Sequence, residues 1–133
     1  MSGVAIVRYL LANNTTLTAA VPSARIMAGV LPLNTLLPAI SVLEIDGFPR
    51  LNVAMTGTQR QIVERVQVTV LTKDYPSKKT ILALVRAALP LSRGTVNGIS
   101  CDSVLPDLIG PDLDDPDTGI YSQSRDYMVR WNE

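Results

Sequence analysis

Histidine is missing from this sequence altogether. Without it, no side chain of ordinary pKa stands near neutrality to act as a general base, and the commonest transition-metal ligand is gone. Every Ser-His-Asp or Cys-His arrangement is thereby excluded. Cysteine is nearly absent too. Cys101 stands alone, so no disulfide can close within the chain and no cysteine-based zinc site can be built. Aromatic residues make up 5% of the sequence, which leaves the core to aliphatic side chains and offers little surface for stacking sugars or bases. Neither sign of charge is in excess, because 12 basic and 12 acidic side chains cancel. A nucleic-acid backbone would meet no net basic field, whereas near-zero charge weakens the repulsion between copies. No stretch reaches the ~18 apolar residues of a membrane span. The opening segment MSGVAIVRYLLANN carries Arg8 inside its apolar run and lacks the leader and cleavage pattern of a secretory signal. The chain is therefore expected in the cytosol, or in something assembled there.

What the sequence does have is aliphatic patterning. Hydrophobic residues make up 47% of 133 residues, which fits one folded domain spanning residues 1–133. Val4, Val7 and Leu11 recur at helical spacing over residues 3–13, with Leu10 beside them. Residues 15–21 suit a short turn that Pro22 stops. Residues 25–30 and 39–46 read as strands, and Asp46-Gly47 opens a long loop up to Gly57 and Thr58. The strongest strand signal lies at 59–73. There Ile62, Val66, Val68 and Val70 share one face, interrupted by Glu64, while Arg65, Gln67 and Thr69 share the other.

Asp74 is placed to cap a helix with Pro76 in its first turn and Pro90 ending it. Ile81, Leu84, Val85 and Ala88 form its core stripe, and Lys78, Lys79 and Arg86 are expected in solvent. Asn97-Gly98 between Thr95-Val96 and Ile99-Ser100 is a two-residue hairpin signal. Residues 106–118 read as an irregular acidic loop, and residues 119–131 alternate as a last strand. The expected architecture is α+β: a mostly antiparallel β-sheet with two helices packed on one face, in the order α-β-β-β-α-β-β-β.

No motif in the sequence carries chemistry. The stretch from Gly94 to Gly98 lacks the GK[ST] ending of a phosphate loop and reads as the hairpin. Cys101 on that hairpin reads as a small buried hydrophobe. Asp112, Asp114, Asp115 and Asp117 offer the oxygen ligands a hard cation takes, but their spacing is not that of a calcium loop. Asp-Pro and Asp-Thr-Gly are turn formers, so a solvated or partner-facing loop is expected, with no metal and no cofactor. The expectation is a non-enzymatic chain.

The segment LPAISVLEIDGFPRLNVAMTGTQRQIVERVQVTVLTKDYPSKKTILALVRAAL, residues 37–89, resembles the tail terminator, or tail completion, family of long-tailed bacteriophages. In that family a Pro-initiated strand leads through a variable loop to a long strand, then to an alanine-rich helix after a Tyr-containing turn. The Val-Asn-Gly-Ile hairpin, the acidic loop and the closing TGIYSQSRDYMVRWN also fit. The resemblance implies a virion protein that forms a ring, commonly a hexamer, at the head-proximal end of the tail tube. It implies the tail tube protein and the head-completion or connector protein as partners, with DNA passing through the lumen unread.

It implies no catalytic residues and places the protein in the tail neck after assembly in the host cytoplasm. Subunit or partner contacts are then expected from loops 46–60 and 106–118, through Arg50, Asn52, Met55 and Arg60, and through Asp112, Asp114, Asp115 and Asp117. Another neck or tail-tube subunit and a small ligand-binding domain remain the alternatives.

Overall fold

In the computed structural model, residues 2–32, 34–50, 61–89 and 93–132 are described. The longest apolar-polar alternation becomes the middle of the sheet. Strand β3 is Gln61–Thr72, formed after β1 (Ile26–Ala28) and β2 (Ala39–Arg50). Its neighbours are β2 and β7 (Ile120–Asn132), both antiparallel to it, in registers running from Ala39↔Leu71 to Arg50↔Gln61 and from Gln61↔Asn132 to Thr72↔Tyr121. Beyond β7 lie β5 (Ile99–Ile109) and then β4 (Gly94–Val96), while β1 adds to β2 in parallel. A three-residue strand β6, Leu113–Asp115, also pairs with β7. Among the described residues the sheet thus has seven strands, in the order β1-β2-β3-β7-β5-β4 with β6 off this path.

Helices α1 (Ser2–Ala12) and α3 (Tyr75–Ala88) pack on one face of this sheet, and the short α2 (Thr15–Ala20) bridges them. The α+β expectation therefore holds, with α2 and β6 as additions. Val66, Val68 and Val70 of β3 are fully buried beneath Val4, Ile6, Val7 and Leu11 of α1 and Ile81, Leu82 and Val85 of α3. Tyr127, Val129 and Trp131 of β7 complete the layer. Each such aliphatic side chain contributes on the order of 1.5–3 kcal/mol when taken fully out of water.

The local signals act as expected at the start of α3 and at the hairpin. The Asp74 carboxylate accepts the Ser77 backbone N–H at 3.2 Å, with Pro76 in the first turn where its missing N–H costs nothing. Asn14 caps α2 by accepting the Leu17 N–H at 2.9 Å. Asn97 and Gly98 take φ of 51° and 79°, the left-handed pair that a two-residue hairpin requires. Cys101 is fully buried, and burial pushes its thiol pKa up, so it packs as a hydrophobe.

Three expectations need correction. Strand β2 does not stop at Asp46 but runs through Gly47, Phe48 and Pro49 to Arg50, after a bulge between Glu44 and Asp46. Strand β1 covers only Ile40–Val42, so among the described residues Pro49 stands on an open edge, where a missing ladder donor is tolerated. The acidic stretch is not irregular throughout. β5 continues across Pro106 to Ile109, and β6 resumes pairing along the same side of β7. Here too the outer edge is open, because β4 pairs only with Ile99–Cys101.

The third correction is Lys78. Expected in solvent, it is fully buried, its stem laid against the helix–sheet layer and its charge met by two carboxylates.

Candidate interaction site

The acidic stretch is where the fold concentrates charge. The turn at Gly110 brings the chain back to β7, with the Gly110 N–H donating to the Ser124 carbonyl at 2.8 Å and the Gln123 side-chain amide donating to the Gly110 carbonyl at 2.8 Å. That turn puts Asp112 and Asp114 over the first turn of α3. The Lys78 ammonium donates to Asp114 at 2.7 Å and lies 3.0 Å from Asp112. The Lys79 ammonium donates to Asp112 at 2.9 Å and to the Gln123 side-chain Oε1 at 2.6 Å. Tyr75 donates its hydroxyl to Asp112 at 3.2 Å and lies with its ring 4.6 Å from the Lys78 nitrogen. Burial pulls the Lys78 pKa down, but hydrogen bonds to Asp114 and Asp112 outweigh it and leave the ammonium firmly charged. Lys79 first and Lys78 second hold the Asp112 carboxyl down at about 2.

Two of the four acidic candidates are therefore already occupied by lysines of their own chain. The other two are not. Asp115, the last residue of β6, and Asp117, on the turn that follows, are exposed, and the Asp115 carboxylate accepts the Asp117 backbone N–H at 3.0 Å. Arg50 ends β2 opposite Gln61 and is exposed. Asn52, Met55 and Arg60 lie outside the described residues. On the same strand as Arg50, Ile45 at the bulge and Phe48 beyond it face solvent, with 48% and 56% of their surface exposed.

The sheet face away from the helices is tied together by Arg65. Its guanidinium lies 2.6 Å from Asp107 of β5, 3.4 Å from Asp126 of β7 and 3.9 Å from Asp46 of β2. One side chain thus links four strands. The spacing of Arg65 on the polar face of β3 foretold its direction, but its partners come from positions far away in sequence.

On the helix face, the residue that interrupts the aliphatic run of β3 is a feature in its own right. Glu64 is 3% exposed, accepts the Trp131 indole N–H at 3.2 Å, and leaves its second oxygen without a partner among the described residues. Burial raises its pKa above the ordinary value, more than the Trp131 hydrogen bond lowers it, and Glu44 pushes in the same direction as burial. Gly3 of α1 is packed so closely on the carboxylate that a β-carbon there would collide with it. Glu64 replaces an aliphatic residue at the point where the helix start presses on the sheet.

These features define an α+β layer whose prominent polar features are ion pairs and exposed edges. A chain from a structure described as the virion of a native gene transfer agent (GTA) particle has the same fold. The TM-score is 0.76 at 16% sequence identity, over 98% of this chain and 94% of the other. No protein-family model matches the sequence, and no curated protein matches it. At that level of identity the likeness establishes the fold.

Proposed function

We propose that this chain is a structural subunit of a virion and not an enzyme, assembling into a ring at the head-proximal end of a tail tube. In this role it ends tube polymerisation and offers the attachment surface for the head connector. The tube protein and the connector are its partners, and DNA crosses the lumen without being read. Its place is the tail neck, reached from the host cytoplasm, and the ring is a hexamer. The observation that carries the reading is the near-complete fold match with a chain of a gene transfer agent virion, together with the resemblance of residues 37–89 to tail terminators.

The surfaces suit such a role. Among the described residues two sheet edges are left open, β2 beyond Val42 and β5 beyond Cys101, and they differ in sequence. Heterologous contacts between two unlike patches close into rings when the rotation allows. Arg50, Asn52, Met55 and Arg60 belong to the arm proposed to meet a neighbour or the tube. Native mass measurement and electron microscopy of the purified chain, alone and with its tail tube, test the proposal. Closed rings capping tubes of one length are expected. Open polymers of the chain itself would make it a tube subunit instead.

A further inference from the structure

On the helix side of the sheet, α3 does not cover β5. A groove of about 640 Å3 remains between them, walled by Ala83, Arg86 and Ala87 of α3 and by Ile109 of β5, and floored by Arg125 and Tyr127 of β7. Two arginines face this groove, and no carboxylate among the described residues is within ion-pair range of either. The Arg125 Nε is buried and lacks a hydrogen-bond partner among the described residues. The hydroxyl of Tyr127, a residue only 1% exposed, is in the same position. A guanidinium half-withdrawn from water without an acceptor is costly, and the cost is relieved by a carboxylate brought in from outside.

Apart from Glu44 at the β2 bulge and Asp74, which caps α3, the exposed carboxylates with no cationic partner among the described residues are Asp115 and Asp117, at the end of β6 and on the turn that follows it. They cannot fold back into their own groove. β7 runs outward from Arg125 to Ile120 before the turn begins, roughly 17 Å at about 3.3 Å per residue. We infer that the groove between α3 and β5 receives the Asp115–Asp117 turn of a second copy, two carboxylates meeting the Arg86 and Arg125 guanidiniums over an apolar rim. The inference rests on the self-assembly reading above and gives it a specific contact. Patch and turn differ, so each copy has one donor and one acceptor surface, as head-to-tail assembly requires. Being ionic, the contact weakens with added salt.

Charge reversal tests the pairing. One variant carries Arg86→Glu with Arg125→Gln, and the other carries Asp115→Asn with Asp117→Lys; Asn keeps the turn's own hydrogen bond. Circular dichroism melts establish that both fold, and Arg86→Glu alone, at an exposed helix position, serves if the Arg125 change does not. By sedimentation and native mass, each variant alone is expected to associate at least about tenfold more weakly than the unaltered chain. An equimolar mixture is expected to recover assembly, because each reversed groove then meets a reversed turn. Unchanged association of either variant, or a mixture that recovers nothing, overturns the pairing and leaves ring formation standing. An unaltered chain that stays monomeric at every concentration and on tail tubes removes the self-assembly reading, and the pairing with it.

Discussion

Two carboxyl groups of this chain respond to acid in opposite directions, and their surroundings say why. Glu64 is raised by burial, so the folded state holds its proton more tightly than the unfolded chain does. Its contribution favours folding most below the ordinary value of 4.5 and is lost as the pH rises through the elevated one. Glu64→Gln keeps the acceptor for Trp131 and removes the charge. Its melting temperature relative to the unaltered chain is expected to climb as the pH is raised from 4.5 to 7. Asp112 is the reverse case, held at about 2 by Lys79 and Lys78. Its contribution is present above 3.8 and is lost as the pH falls through 3.8 towards 2. Asp112→Asn is expected to melt earlier than the unaltered chain at pH 5 and to match it near pH 2. Paired thermal melts across this range distinguish the two behaviours.

Helix α3 shows how a local signal and a distant one share one element. Asp74→Ala removes the acceptor for the Ser77 N–H and is expected to cost about 1 kcal/mol in urea titration. That cap, the stripe of Ile81 and Val85, the Asn97-Gly98 turn and the alternation of β3 were legible because each is set by neighbours within a few residues. The ends of β2 and β5 were not. Asp46-Gly47, Pro49 and Pro106 are breakers by local chemistry, and they sit in strands only because an open edge excuses the missing donor and β3 or β7 supplies the other side. Lys78 was misplaced for a related reason. Helical spacing assigns it a direction, while its burial depends on Asp112 and Asp114 arriving from more than thirty residues away. Of the eight candidate contact residues, the four aspartates of the acidic stretch are divided by the fold. Asp112 and Asp114 serve α3, and Asp115 and Asp117 remain outward. The groove of Arg86 and Arg125 joins a helix to a strand through the fold alone, and no spacing rule connects them.

At the scale of the molecule, the proposed assembly depends on what projects from the sheet. Deleting residues 50–57, which include Arg50, Asn52 and Met55, is expected to impair ring formation or alter tail length while leaving the melting temperature of the domain little changed. Normal rings and tails from that deletion would transfer the contact elsewhere. The arrangement of the sheet also has a temporal side. Its two most extensively paired strands are β3 and β7, yet Gln61 pairs with Asn132 and Thr72 with Tyr121. Contacts so distant along the chain are slow to form, because a long loop must close before any pairing energy is returned. During synthesis, β2 and β3 emerge as a hairpin with one edge of β3 bare, and only the arrival of residues 120–132 satisfies it. Until then the nascent chain exposes a long aliphatic strand edge, the kind of surface that chaperones shield and that neighbouring nascent chains can capture.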